Sequence, residues 1–326
     1  MKFDKRILLG TVVLLAGVSV GCIGPVVRGN FDRTLTVTGP ASLYLSNGSG
    51  STRIHAGAPG QIHIHGEFRV RGWLWGNPHR SATELSQNPP IRQEGSLVHI
   101  GSPQFGGGNV SIDYTIEVPA NTEVRVATGS GDLNVGGIAG PVTATTGSGD
   151  VQMSEIQGDV HATAGSGDMR IEEIQGSAEV TAGSGDVEMK SVGGRVRVKT
   201  GSGDITVSSP GNAINLSNGS GDIRVTGASS DLRIRTGSGT LTISGSPSAG
   251  SYWELHAGSG DVTLNVPPTA AFRFHAHTRM GEIQSHLAMT IVEQSRRELR
   301  SVIGQGSARV EVETATGDIR LNSSQP

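Results

Sequence analysis

Aspartate is the residue whose type and spacing in this 326-residue sequence most invite chemistry. Asp132, Asp150, Asp168, Asp186, Asp204 and Asp222 follow one another at 18-residue intervals, and Asp261 extends the series after a longer gap. If successive repeats stack, these carboxylates fall one above another at roughly 5 Å, where two like charges repel by about 1 kcal/mol in water. Two arrangements would offset that repulsion. One is Ca²⁺ held between the carboxylates. The other is a set of hydrogen bonds from turn amides, with the charge solvated. Thr240 stands where the series calls for aspartate. A hydroxyl serves a turn but is a poor calcium ligand, which favours the second arrangement.

Each aspartate closes a Gly-Ser-Gly-Asp tetrapeptide. The glycine pairs are Gly129 and Gly131, Gly147 and Gly149, Gly165 and Gly167, Gly183 and Gly185, Gly201 and Gly203, Gly219 and Gly221; a seventh copy starts at Gly237 and an eighth at Gly258. The glycine-rich calcium repeats of secreted bacterial toxins are similar in flavour, but they follow a nine-residue pattern in which aspartate is separated from the preceding glycine. After each tetrapeptide, apolar residues alternate with polar ones: Val151 and Met153, then Ile156, then Gly158, then Val160, Ala162 and Ala164. Period two on both sides of a glycine means two strands, each with one buried face. Two such strands cannot bury that face alone, so successive units must stack in parallel about 4.8 Å apart. The expected fold is all-β: a single-chain parallel β-solenoid, about 18 residues per coil, right-handed by the crossover rule. A helical solenoid would need apolar spacings of three and four, and Val, Ile, Thr, Ser and Gly dominate instead.

The flanks are less regular. Residues 1–21 carry a basic start and an apolar run from Ile7 to Val20, which read as a secretory signal shorter than a membrane span. Cys22 is the single cysteine, so it makes no internal disulfide and its position carries its meaning. Val20-Gly21-Cys22 resembles a bacterial lipoprotein signal, although Ser19 stands where that motif usually has an aliphatic residue. The resemblance implies lipidation of Cys22, export across the inner membrane, and anchoring at the outer membrane or cell surface. Residues 22–30 are then a linker, 31–128 irregular coils with an insertion at 71–95, 129–257 the regular repeats, and 258–326 further irregular coils and a cap. The insertion holds Trp73, Trp75 and a short helix expected over Ser81–Ser86, either capping the open sheet edge or forming a binding loop. Val292–Ile303, rich in Arg and Glu, reads as an excursion or short helix.

His63 and His65 share one strand face, as do His275 and His277. A metal would need a third ligand that neither pair shows in sequence, so exposed positions are expected. A net charge of −3 with no basic run excludes a nucleic-acid footprint. Arg195, Arg197 and Lys199, taken beside Glu188, read as ordinary solvated surface.

The serial Ser-Gly-Asp turns, the stretch Gly258-Ser-Gly-Asp-Val-Thr-Leu-Asn-Val-Pro, and Gly304-Gln-Gly-Ser followed by Thr316-Gly317-Asp318-Ile319 resemble a bacterial family of envelope proteins of unknown function. Its members are built from β-strand repeats and carry the designation "putative adhesin". The resemblance spans roughly residues 31–322 and implies architecture, with no catalytic residues to carry over. The expectation is therefore a non-enzymatic envelope lipoprotein, adhesin or scaffold, whose partners are the membrane through its lipid and a protein or glycan on the cell surface. No cofactor is expected, with calcium as the one candidate. A calcium-binding repeat protein is the alternative. A carbohydrate-active β-helix enzyme is disfavoured because it needs a singular acidic cluster, and here the acids recur like the turns.

Overall fold

Alternation on both sides of each corner builds two strands per repeat, and these strands stack into two long sheets. In the computed structural model the residues described are 26–72, 78–101 and 108–324. The first sheet has 14 strands and contains the segments that follow each Gly-Ser-Gly-Asp; the second has 15 and contains the segments that precede it. Over the regular repeats all pairing is parallel, with partners 18 residues apart, as in Val142 with Val160 and Val151 with Met169, until the interval widens at Leu232 with Trp253. Cys22, Trp73 and Trp75 lie outside the described residues.

Val151, Met153 and Ile156 from one sheet meet Val160, Ala162 and Ala164 from the other in one continuous buried core. The spacing of three between Met153 and Ile156 breaks strict alternation, and a left-handed residue explains it. Glu155, Glu173, Ser191 and Ser209 occupy one column with φ between 51° and 56°, continued by Gly137 and Gly227. One residue in that conformation bulges the strand, so the next apolar side chain turns back inward.

Corner glycines are required for two different reasons. Gly149 has φ 128°, open to glycine at no steric cost. Gly147 has no such φ, but a Cβ there would lie 2.6 Å from the carbonyl oxygen of Gly129 in the neighbouring coil. Just inside the same corner, buried polar side chains satisfy turn carbonyls: Thr146 Oγ1 donates to Ser148 O at 3.3 Å, and Asn218 Nδ2 donates to Gly203 O at 3.0 Å.

The two ends depart from the sequence reading. Residues 31–72 are not simply early coils. Val26–Thr36 and Gln61–Gly72 run antiparallel to each other, and the latter is also antiparallel to Gly108–Val118. The helix exists and spans Pro78–Gln87, longer than expected; it rests on these strands and buries Ala82 and Leu85, a capping position. The Arg- and Glu-rich segment at the other end is no helix. It forms two antiparallel strands, Thr290–Gln294 and Glu298–Ile303, because Leu299, Ser301 and Ile303 alternate inward. Spatial order also departs from chain order here: Ala308–Thr316 inserts between Tyr252–Ser259 and Phe272–Met280.

Candidate functional site

The aspartate column is built by the corner. Each aspartate follows the positive-φ glycine, which presents its side chain along the stacking axis. Asp150 Oδ1 accepts the N–H of Asp168 at 2.9 Å, Asp168 Oδ1 that of Asp186 at 2.9 Å, and Asp186 Oδ1 that of Asp204 at 2.8 Å. The series starts with Asp132 and Asp150, and continues through Asp204 and Asp222 to the amide of Thr240. Thr240 thus receives the bond that its neighbours also receive.

The same device recurs outside the regular array. Asp113 Oδ1 accepts from Ser51 N at 2.8 Å, Asp261 Oδ1 from Asp318 N at 2.9 Å, and Asp318 Oδ1 from Glu282 N at 3.0 Å. The amide of Asp318, with Arg320 Nη1 at 2.7 Å, holds the Asp261 carboxyl below the usual carboxylate range. The column borders a groove of about 590 Å³ lined by Asp132, Asp150, Asp168, Asp186 and Glu188, with Arg53 and Arg170 among them. Among the described residues no group of three His, Cys, Asp or Glu side chains is placed to hold a metal ion.

The histidine pairs have carboxylate neighbours that the sequence separates from them. Asp32, on the antiparallel neighbour strand, lies between His63 and His65: Oδ1 is 2.7 Å from His65 Nδ1 and 3.7 Å from His63 Nε2. The hydrogen bond to Asp32 raises the His65 pKa above its ordinary value. His275 Nε2 lies 3.1 Å from Glu298, which Arg300 also bridges at 2.8 Å. That hydrogen bond from His275 leads the causes that lower the Glu298 pKa.

The outer face of the second sheet carries further ion pairs. The Glu254 side chain is only 14% exposed, and it is held by Arg233 Nε at 2.7 Å and Arg235 Nη2 at 2.6 Å. The Arg233 hydrogen bond is the main cause that lowers its pKa. Tyr252 Oη donates to Glu311, which pushes the phenol up to about 12. Glu188 is not beside Arg195, Arg197 and Lys199 as the sequence reading had it. It faces out from the first sheet and pairs with Arg170 at 2.7 Å, whereas Arg197 meets Glu179 at 3.9 Å.

Stacked two-strand coils with turn-bound aspartates define a class of β-repeat protein. The chain belongs to the toastrack family DUF4097, which it matches twice in succession, over residues 102–216 and 212–322. Among solved structures it is similar to a "putative cell adhesion protein" from Clostridium sporogenes, at 12% identity over 91% of this chain and 100% of that one, TM-score 0.22. It is also similar to a "putative adhesin" from Bacteroides fragilis, at 11% identity over 90% and 97%, TM-score 0.32. A third is a "putative adhesin" from Parabacteroides distasonis, at 12% identity over 91% and 97%, TM-score 0.23. No curated protein matches the chain.

Proposed function

We propose that the chain is a non-enzymatic module of the cell envelope: a right-handed β-solenoid with one coil per 18 residues, lipid-anchored through Cys22, whose flat outer faces serve adhesion or scaffolding. The observation that carries this reading is the use of the acidic column. Its Oδ1 atoms hold the amides of the next coil, so the residues most able to do chemistry act as turn architecture. A catalytic acid needs a singular environment, and one coil here repeats the next. The names of the solved relatives point in the same direction, toward the cell surface.

The test is whole-cell attachment. Cells displaying the full chain should adhere to glycan-coated or host-cell surfaces more than cells lacking it, and Cys22→Ala should release the protein from the membrane fraction. Equal attachment with and without the chain would count against the reading. A calcium-dependent rise in melting temperature, lost in the triple variant Asp150→Asn, Asp168→Asn, Asp186→Asn, would replace turn architecture with a metal role for the column.

A further inference from the structure

We propose that the outer face of the second sheet, from Arg195 to Arg300, binds an extended anionic polysaccharide laid along the solenoid axis. The inference rests on the surface-module reading above and names its ligand class.

Strand pairing places residues far apart in sequence in one outward-facing row. Tyr252 is the register partner of Arg309, and Arg309 of Arg273; Asp231, whose Oδ1 accepts the Tyr252 amide at 2.9 Å, and Arg195 two strands further on extend the row from positions just before the first paired residues Leu232 and Val196. The span from the strand of Arg195 to that of Arg300 crosses seven neighbouring strands, about 29 Å at the usual strand spacing. Arg195, Arg273 and Arg309 are exposed, and none of the three has an ion-pair partner among the described residues. Their neighbours differ: Glu254 holds Arg233 and Arg235, and Glu298 holds Arg300.

Like charges directly opposite on adjacent strands destabilise a sheet. Arg309 and Arg273 are such a pair, and an anion seated between them would remove the repulsion. Guanidinium is suited to that task because its planar fork takes a carboxylate or sulfate through two parallel hydrogen bonds. Both ends of the row open into grooves of sugar-ring scale. One, of about 290 Å³, is lined by Arg273, His275, Arg300 and Arg309; the other, of about 240 Å³, by Arg195, Arg197, Arg233 and Tyr252.

Two features favour a polysaccharide over a nucleic acid. Asp231 and Glu311 interrupt the cations and would accept hydroxyl donors, which sugars have in abundance and a phosphate backbone lacks. Tyr252, fixed through its bond to Glu311, offers an aromatic face for sugar C–H groups.

The experiment measures binding of the full chain to immobilised polygalacturonate, dextran sulfate, neutral dextran and oligo-dT by biolayer interferometry. Binding to polygalacturonate or dextran sulfate but not to neutral dextran is expected, weakening as salt rises. The stronger of the two assigns the anion as carboxylate or sulfate. Arg273→Gln with Arg309→Gln should weaken binding by about 10-fold or more, as should adding Arg195→Gln, whereas Arg170→Gln on the first sheet should not. Each single variant is measured as well, with melting curves to establish that it folds. No preference over neutral dextran, unchanged binding by the folded triple variant, or tighter binding of oligo-dT would each overturn the proposal. Whole-cell attachment that survives the triple variant would leave the surface reading intact while removing this ligand.

Discussion

Asp186 bonds to the coil that follows it: its Oδ1 accepts the N–H of Asp204 at 2.8 Å, across 18 residues of sequence. The carboxylate therefore supplements the ladder of main-chain bonds between coils with a side-chain rung at every corner. Because the acceptor is one oxygen, an amide side chain of the same shape should serve. Asp186→Asn is expected to leave stability within about 0.5 kcal/mol of the parent. Asp186→Ala, which removes the acceptor at an exposed position, should lower it by about 1 kcal/mol. Urea denaturation of both variants separates hydrogen bonding from charge.

The two glycines of each corner answer to different constraints, and substitution should reveal the difference. Gly167 has φ 115°, and a Cβ on it would sit 2.2 Å from the carbonyl oxygen of Gly149. Gly167→Ala combines a left-handed backbone penalty of about 1–2 kcal/mol with displacement of a neighbouring main chain, and a total loss above about 3 kcal/mol is expected. Gly39 also has positive φ, 84°, but a Cβ there meets nothing within 4 Å. Gly39→Ala should cost only the backbone term, about 1–2 kcal/mol. Equal losses for the two would contradict the crowding argument.

The column of left-handed residues yields a prediction of the opposite sign. Glu173 adopts φ 56° with its side chain exposed, so its conformation costs free energy that no buried contact returns. Glu173→Gly should therefore be stabilising or neutral, by up to about 1 kcal/mol, whereas Glu173→Val should destabilise by a similar or larger amount. Thermal melts of the two variants against the parent decide it. Gly137 and Gly227 already occupy the equivalent positions at either end of the column.

Much of this architecture was legible in residue order because the repeat prints each corner at a fixed interval. Val151 and Met153 predict an inward face, and both are buried; Gly149 predicts a special corner, and its φ is positive. What the sequence hid was set by pairing between distant segments. Asp32 precedes His63 by 31 positions, yet an antiparallel register brings them side by side. Arg273 and Arg309 become neighbours only because a later strand inserts ahead of an earlier one. Periodicity reports which way a side chain faces along its own strand. It carries no information about which strand will lie alongside when chain order and spatial order diverge, as they do at both ends of this solenoid.

That divergence gives the N-terminal end a pH-sensitive contact. His65 Nδ1 lies 2.7 Å from Asp32 Oδ1, joining the edge strand Val26–Thr36 to its antiparallel neighbour, and this hydrogen bond is the largest cause raising the His65 pKa above 6.5. A histidine whose folded pKa exceeds its unfolded value binds its proton more tightly when folded. The extra stability is fully present below pH 6.5 and is lost as pH rises through the elevated folded value. Heating the protein at a series of pH values should show the melting temperature falling across that window on the alkaline side of 6.5. Asp32→Asn should flatten this segment of the profile, since a neutral partner no longer favours the imidazolium. His63 Nε2 lies 3.7 Å from the same carboxylate, so the variant His63→Gln is the control that assigns the transition. Its profile should keep the fall, and a profile flattened as fully as in Asp32→Asn would shift the contact from His65 to His63.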